Sequence, residues 1–173
     1  TIRWLFGSSN PYGKHMQAKS WGIDQHTRIA GFFNPELRIH GKKVVFFGYW
    51  ETINELKPNQ VLFAQLEAWA RACGATHIYG PINCTTYGNY RIQIGKTQDR
   101  IPFWGEPYNP PYYEHLLKRC GYTLHQKYLS IFGNEHHLNA YASAVPSQRE
   151  ALHNINIRPT PLTPDLWMER QEE

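Results

Sequence analysis

WGEPYNPPYYEHLLKRCGY, Trp104 to Tyr122, is the stretch on which the reading of the fold turns. A loop rich in proline and tyrosine passes at once into an amphipathic segment that closes on Cys-Gly-Tyr. Pro111 suits a first helical turn, where the N–H it lacks would have no partner, and Asn109 can cap the helix. Tyr113, Leu116, Leu117 and Cys120 share one face at helical spacing, which predicts a helix over Pro111–Cys120 with that face inward. The loop also reads as the lining of a site, because a tyrosine ring can pack while its hydroxyl stays wet.

Upstream, HGKKVVFFGYWET holds a continuous apolar run, Val44 to Phe47, which predicts a central strand covered on both faces. MQAKSWGIDQHTRIAGFFNPEL reads as two strands joined by a tight polar turn at Asp24–Thr27. Leu62, Leu66, Trp69 and Cys73 follow at i, i+4, i+7 and i+11, predicting a helix from about Asn59 to Cys73 that Gly74 closes. THIYGPIN is a short apolar strand ending at Pro81, and Cys84 to Glu106 reads as irregular with room for one short helix. TLHQKYLSIFG alternates in character and predicts a last strand. The order implies a mixed α/β fold, a twisted mixed sheet with a right-handed crossover and helices on its faces. After Gly133 the chain turns polar, so the expected domains are 1–133 and 134–173. The second segment reads as a linker, helical in part, followed by the start of another domain, with Thr163 as cap and Pro164 in the first turn. The opening TIRWLFGSSNPYG, which lacks an initiating Met, reads as an excised domain.

The 173 residues suit one domain that buries roughly 70% of its unfolded surface. With 41% hydrophobic and 18% charged residues, the chain is not of the disordered class. No apolar run approaches the ~20 residues that span a bilayer, so no membrane association is expected. The net charge of +4 suits an anionic ligand such as a nucleotide or CoA, and by itself is too small to argue for nucleic acid. Cys73, Cys84 and Cys120 form no C-x-x-C pair and the histidines no metal spacing. No metal is expected, and a reducing, cytoplasmic setting is.

The element order from Gln17 to Phe132, with NPPYYEHLLKRCGY, FFGYWET and HIYGPIN, resembles the GNAT superfamily of acyl-CoA-dependent N-acyltransferases. HGKKVVFFGYWE, YGPIN and PYNPPYYEHLLKRCGY resemble, more narrowly, a subgroup of longer GNAT-like proteins in which a second domain follows. The resemblance implies splayed central strands, here Val44–Glu51 and His77–Asn83, with the pantetheine arm of acyl-CoA as co-substrate lying between them. Family members usually hold the pyrophosphate on backbone N–H groups of a Gln/Arg-x-x-Gly-x-Gly/Ala loop at the next helix start. The matching segment here, TINELKPNQVL, has no glycine, and Pro58 removes a donor. Lys57, Asn59 and Gln60 are left as polar contacts. Many members carry a leaving-group acid, a Tyr four residues before the closing Gly of the penultimate helix. That position is Leu117 here, with Tyr112 and Tyr113 about a turn earlier.

Glu51 ends the central strand at the mouth of the implied splay. A carboxylate there can take a proton from an attacking amine, directly or through water, and can equally be a solvated strand end. Tyr49 and Trp50 straddle it, one of them facing a pocket or the core. Asn83 and Cys84 follow the next strand, where ligand crevices commonly lie in open α/β sheets. Cys84 has no evident base beside it. Tyr87, Asn89, Tyr90 and Arg91 are candidates for the acceptor side. In the resembling fold Tyr108, Asn109, Tyr112 and Tyr113 would border the reaction centre. The expected activity is acyl transfer from acyl-CoA to a small-molecule amine. The alternatives are a carrier-protein thioester or aminoacyl-tRNA as donor, and a non-catalytic domain that binds a ligand or braces a neighbour. A homodimer is among the expected assemblies.

Overall fold

The apolar run Val44–Phe47 lies inside a sheet, as a strand with no polar face must. The computed structural model describes residues 14–86, 88–95, 105–129, 134–154 and 163. Its elements are β1 (Gln17–Gly22), β2 (Arg28–Ile39), β3 (Lys42–Glu51), α1 (Leu56–Ala72), β4 (His77–Tyr79), α2 (Tyr112–Arg119) and α3 (Glu135–Asn154). The chain divides into two units, Thr1–His125 and Gln126–Glu173, and each is described by itself.

In the first unit the sheet order is β1-β2-β3-β4. The first two pairings are antiparallel and β3 with β4 is parallel, so the sheet is mixed. The turns have local causes. Asp24 Oδ1 accepts the N–H groups of His26 and Thr27, both at 2.7 Å, and closes the β1–β2 connection. His40 and Gly41 both have positive φ (50° and 75°), as the two-residue turn between Ile39 and its partner Lys42 requires.

The two faces of the sheet carry two apolar clusters. Ile29, Phe33, Val45 and Phe47 point to the side covered by α1 and α2, where Leu62, Phe63, Leu66, Ala70, Tyr113 and Leu116 meet them. Ala30, Phe32 and Cys84 are buried together on the other side, with Phe46 and Tyr49 against them. β3 is therefore covered on both faces, and Val44, Val45 and Phe47 are all buried.

A β-bulge breaks the alternation where it matters most. Arg28 pairs with Glu51 but Ala30 with Gly48, so β3 spends one residue more than β2 over that interval. Tyr49 sits there with φ 47°. The extra residue returns Trp50 to the α1 side, three positions after Phe47, and leaves Tyr49 on the other face against Phe32.

Both main helices end alike. Gly74 and Gly121 take φ near +72° and +89°. The following residues reach back, Ala75 N to Ala70 O and Tyr122 N to Leu117 O, satisfying the last carbonyls. The Cys-Gly-Tyr closing the opening stretch is thus a helix stop, and Tyr122 then packs on Phe47 and Phe63.

Four expectations change. α1 starts at Leu56, a turn before Asn59, because Pro58 is tolerated in a first turn. Asn109 does not cap α2: the N-cap is Pro111, and the Asn109 amide bonds across to Gln93. The predicted last strand is absent over its described part. Thr123 to Leu129 are exposed and join no ladder among the described residues, and a strand needs a partner. The reading of 134–154 becomes definite in the second unit: it is a continuous helix, α3, with Pro146 inside it. Thr163 lies in no helix or strand, and residues 164–173 of the proposed second-domain start lie outside the described residues. No helix among the described residues is long and apolar enough to cross a membrane.

Gly48 carries the closest approach of the sheet to the segment after β4. A Cβ there would collide with the Ile82 carbonyl oxygen, which is backbone and cannot swing away. Gly48→Ala is expected to cost about 1–3 kcal/mol, read as a lower urea midpoint. An unchanged midpoint would contradict this packing.

Candidate active site

β3 outlasts its neighbour. Pairing with β4 runs from Val44↔His77 to Phe46↔Tyr79, whereas β3 continues to Glu51. Buried backbone groups left by a departing strand must find other partners. Ile82 N still donates to Phe47 O at 2.6 Å. Beyond that point side chains take over. Asn83 Oδ1 accepts the Tyr49 N–H at 2.7 Å. The Thr52 N–H donates to Tyr113 Oη at 3.3 Å, and Tyr112 Oη donates to Thr52 O at 2.9 Å. Past the end of the β3–β4 ladder, Asn83 thus serves the backbone of β3 at Tyr49 and the two tyrosines of α2 serve it at Thr52.

These side chains are held from behind. Asn83 is carried on a segment that pairs with Asn89–Arg91 through Asn83 N to Asn89 O (2.9 Å) and Arg91 N to Pro81 O (2.8 Å). Arg91 also forms a half-buried ion pair with Glu106 at 2.7 Å. Asn109 bonds both backbone groups of Gln93, at 2.7 Å to its N and 3.2 Å to its O, which fixes the entry to α2.

The carboxylate and the phenol meet at the strand end. Tyr113 Oη donates to Glu51 Oε2 at 3.2 Å. Tyr113 is buried and Glu51 is exposed, so the pair spans the boundary between core and solvent. Burial, with the Glu51 charge beside it, pushes the Tyr113 phenol up to about 12. Its ring lies against Trp50, with centroids 4.4 Å apart. Trp50 Nε1 donates to Asn59 Oδ1 at 2.9 Å, and Asn59 Nδ2 donates to Thr52 Oγ1 and Glu55 O, both at 2.7 Å.

The structure therefore brings together Glu51, Trp50, Tyr112 and Tyr113, and ties Tyr49 to Asn83. Cys84 packs with Ala30 and Phe32, and burial pushes its thiol up, which disfavours the thiolate. Tyr108 stands out in solvent. Tyr87 lies outside the described residues. Asn59 is corrected as a phosphate contact: it is fully buried and its amide is engaged, while Lys57 and Gln60 are exposed. Thr52 is the residue of this cluster that the sequence reading missed, and Asn59 is the one to which it gave a different role. Asn59, Leu62, Phe63, Leu66 and Ala70 lie on one helical face, so an amide on the apolar stripe was the available signal. Among the described residues no three His, Cys, Asp or Glu gather as a metal would require. A separate recess of about 410 Å³, lined by Lys14 to Gln17 and Asn34 to Glu36, shares no residue with this site. Comparison with family models, with curated proteins and with solved structures found no match.

Two outcomes follow from this geometry. Asn83→Ala leaves the Tyr49 N–H without its acceptor, at an expected cost of about 1–2 kcal/mol. Amide exchange at Tyr49 should then accelerate, and unchanged exchange would contradict the bridge. Tyr113 binds its proton more tightly folded than unfolded, since its ordinary value is 10.0 and its folded value about 12. Its share of stability is full below pH 10 and is lost as pH rises through about 12. Tyr113→Phe should flatten the fall in the urea midpoint over that window.

Proposed function

We propose that the first unit is an N-acyltransferase of GNAT type, moving an acyl group from a thioester to an amine, with Glu51 receiving the amine proton. The observation that carries the reading is the Glu51–Tyr113 hydrogen bond at the end of a strand that runs on past its parallel ladder with β4. An amine nitrogen attacks the thioester carbonyl, the C–N bond forms, the C–S bond breaks and the thiol sulfur leaves with the electron pair. The proton shed by the nitrogen passes to Glu51, directly or through one water. The thioester carbonyl oxygen takes the place of Asn83 Oδ1 on the Tyr49 N–H, exchanging one acceptor for another and gaining a donor where negative charge develops.

Tyr113 in this scheme holds Glu51 and keeps its own proton. A phenol near 12 would protonate a departing thiolate, whose acid lies near 8.5, uphill by about 4–5 kcal/mol. The sulfur therefore leaves as thiolate or takes the proton that Glu51 has gained.

The donor has two versions. Acyl-CoA is the one the family pattern implies. A carrier-protein thioester, or an aminoacyl-tRNA whose ester C–O bond breaks and whose ribose oxygen leaves in place of sulfur, is favoured by the first turn of α1, where Pro58 offers no N–H and the buried Asn59 side chain is already engaged. Neither of these donors needs a pyrophosphate cradle there.

The test is a transfer assay with acetyl-CoA and with S-acetylpantetheine, which lacks the pyrophosphate, over a panel of small amines. Glu51→Gln should lower kcat by about 10²-fold or more and leave KM within a few-fold, since it removes a proton acceptor and little contact area. Equal activity of the two donors favours the carrier-type donor. No transfer from either, with no thermal stabilisation by them, supports a non-catalytic domain. Bound at 100 times its dissociation constant, a ligand adds about 2.7 kcal/mol, a shift that is easily read.

A further inference from the structure

We propose that Asn59 is a positioning residue for the Glu51–Tyr113 pair, gripping it through Trp50 and Thr52 at once. The inference rests on reading that pair as the working groups, and its grounds are geometric. Asn59 is 0% exposed in the first turn of α1. Its amide can sit in only one sense. Oδ1 accepts the indole N–H of Trp50, while Nδ2 donates to Thr52 Oγ1 and to Glu55 O. A flipped amide would set N–H against N–H at the indole and leave two acceptors facing an oxygen.

Two of the residues that Asn59 holds, Trp50 and Thr52, touch Tyr113 at different places. The Trp50 ring bears on the phenol ring. The Thr52 N–H bonds the phenol oxygen, and the Thr52 hydroxyl is itself pinned between Asn59 and Ile53 O (3.1 Å). With the Thr52 N–H on one lone pair, the phenol is left to donate, and the acceptor it meets is Glu51 Oε2. Asn59 thus holds Thr52 by a hydroxyl whose own proton goes to Ile53 O, and the hydrogen-bond chain proper runs from Thr52 N–H through Tyr113 Oη to Glu51. It delivers a hydrogen bond to a carboxylate that would otherwise point freely into solvent.

A mere loop anchor would cost stability when removed and leave the environment of Tyr113 alone. The two roles separate in Thr52→Val, which keeps the shape and both backbone groups but deletes the hydroxyl that Asn59 grips. Thr52→Ser restores that hydroxyl, and Asn59→Ser shortens the grip itself. The probe is the ¹³Cζ resonance of Tyr113 in the full chain labelled at tyrosine, assigned by its loss in Tyr113→Phe and read at neutral pH, where the phenol keeps its proton and the resonance reports the hydrogen bonds at its oxygen.

The expected result is the parent position of the resonance in Thr52→Ser, and a displaced one in Thr52→Val and Asn59→Ser, where the hydrogen bonds at the phenol oxygen have loosened. A folded Thr52→Val whose Tyr113 matches the parent overturns the proposal. Should Asn59→Ser fail to fold, the Thr52 pair decides alone. The resonance is read without substrate, so failure of this inference and failure of the acyl-transfer reading are separate results.

Discussion

A strand that continues after its neighbour has stopped leaves backbone donors and acceptors that the interior cannot tolerate unpaired. Most of what distinguishes this structure answers that constraint at the end of β3. Asn83 and the Tyr112–Tyr113 pair stand in for the missing ladder, and each is a side chain where a strand would have offered backbone. The substitution has a consequence that a strand would not have. A ladder partner is permanent, whereas a side-chain acceptor can be exchanged for a ligand's carbonyl at little cost.

The second consequence is that core and site share parts. The bulge at Tyr49 turns Trp50 inward, where its ring meets Phe47, Phe63 and Tyr113. Trp50 is at once a core residue and the wall behind the phenol. Its indole N–H would be an orphan among apolar rings without Asn59, so an amide on the apolar stripe of α1 completes the core. The polar network closes on backbone at Glu55 and Ile53, which keeps it rigid. α2 is fixed by its apolar face, by the Asn109 clamp at its entry and by the glycine stop at its exit.

The legible part of the fold was its local part. The unbroken run at Val44–Phe47, the stripe of α1, the inward face of α2 and the stops at Gly74 and Gly121 all follow from neighbours a few residues apart. Fold class was legible to the same extent: a mixed sheet with helices, and no finer. What escaped depends on partners distant in the chain. Nothing near Asn109 says that its amide will prefer Gln93 to a helix cap. Nothing near Thr123 says that alternation will lack a ladder. The bulge was illegible because Tyr49 carries no glycine to advertise its positive φ, so Trp50 could not be assigned a face. Within the candidate site Glu51, Tyr112 and Tyr113 were found because they end or begin elements. Thr52 was missed because it contributes backbone, which no residue type announces.

The central claim of the proposed function is that the end of β3, beyond its ladder with β4, seats a thioester donor by exchange with side-chain partners. Backbone amide exchange across Phe47–Thr52, with and without S-acetylpantetheine, tests it most directly. The account predicts a ligand-dependent change in protection centred on Tyr49 and reaching Thr52, with the Val44–Phe46 ladder unaffected. A donor that binds while leaving Tyr49 and Thr52 unchanged, or that protects a different part of the sheet, would contradict it.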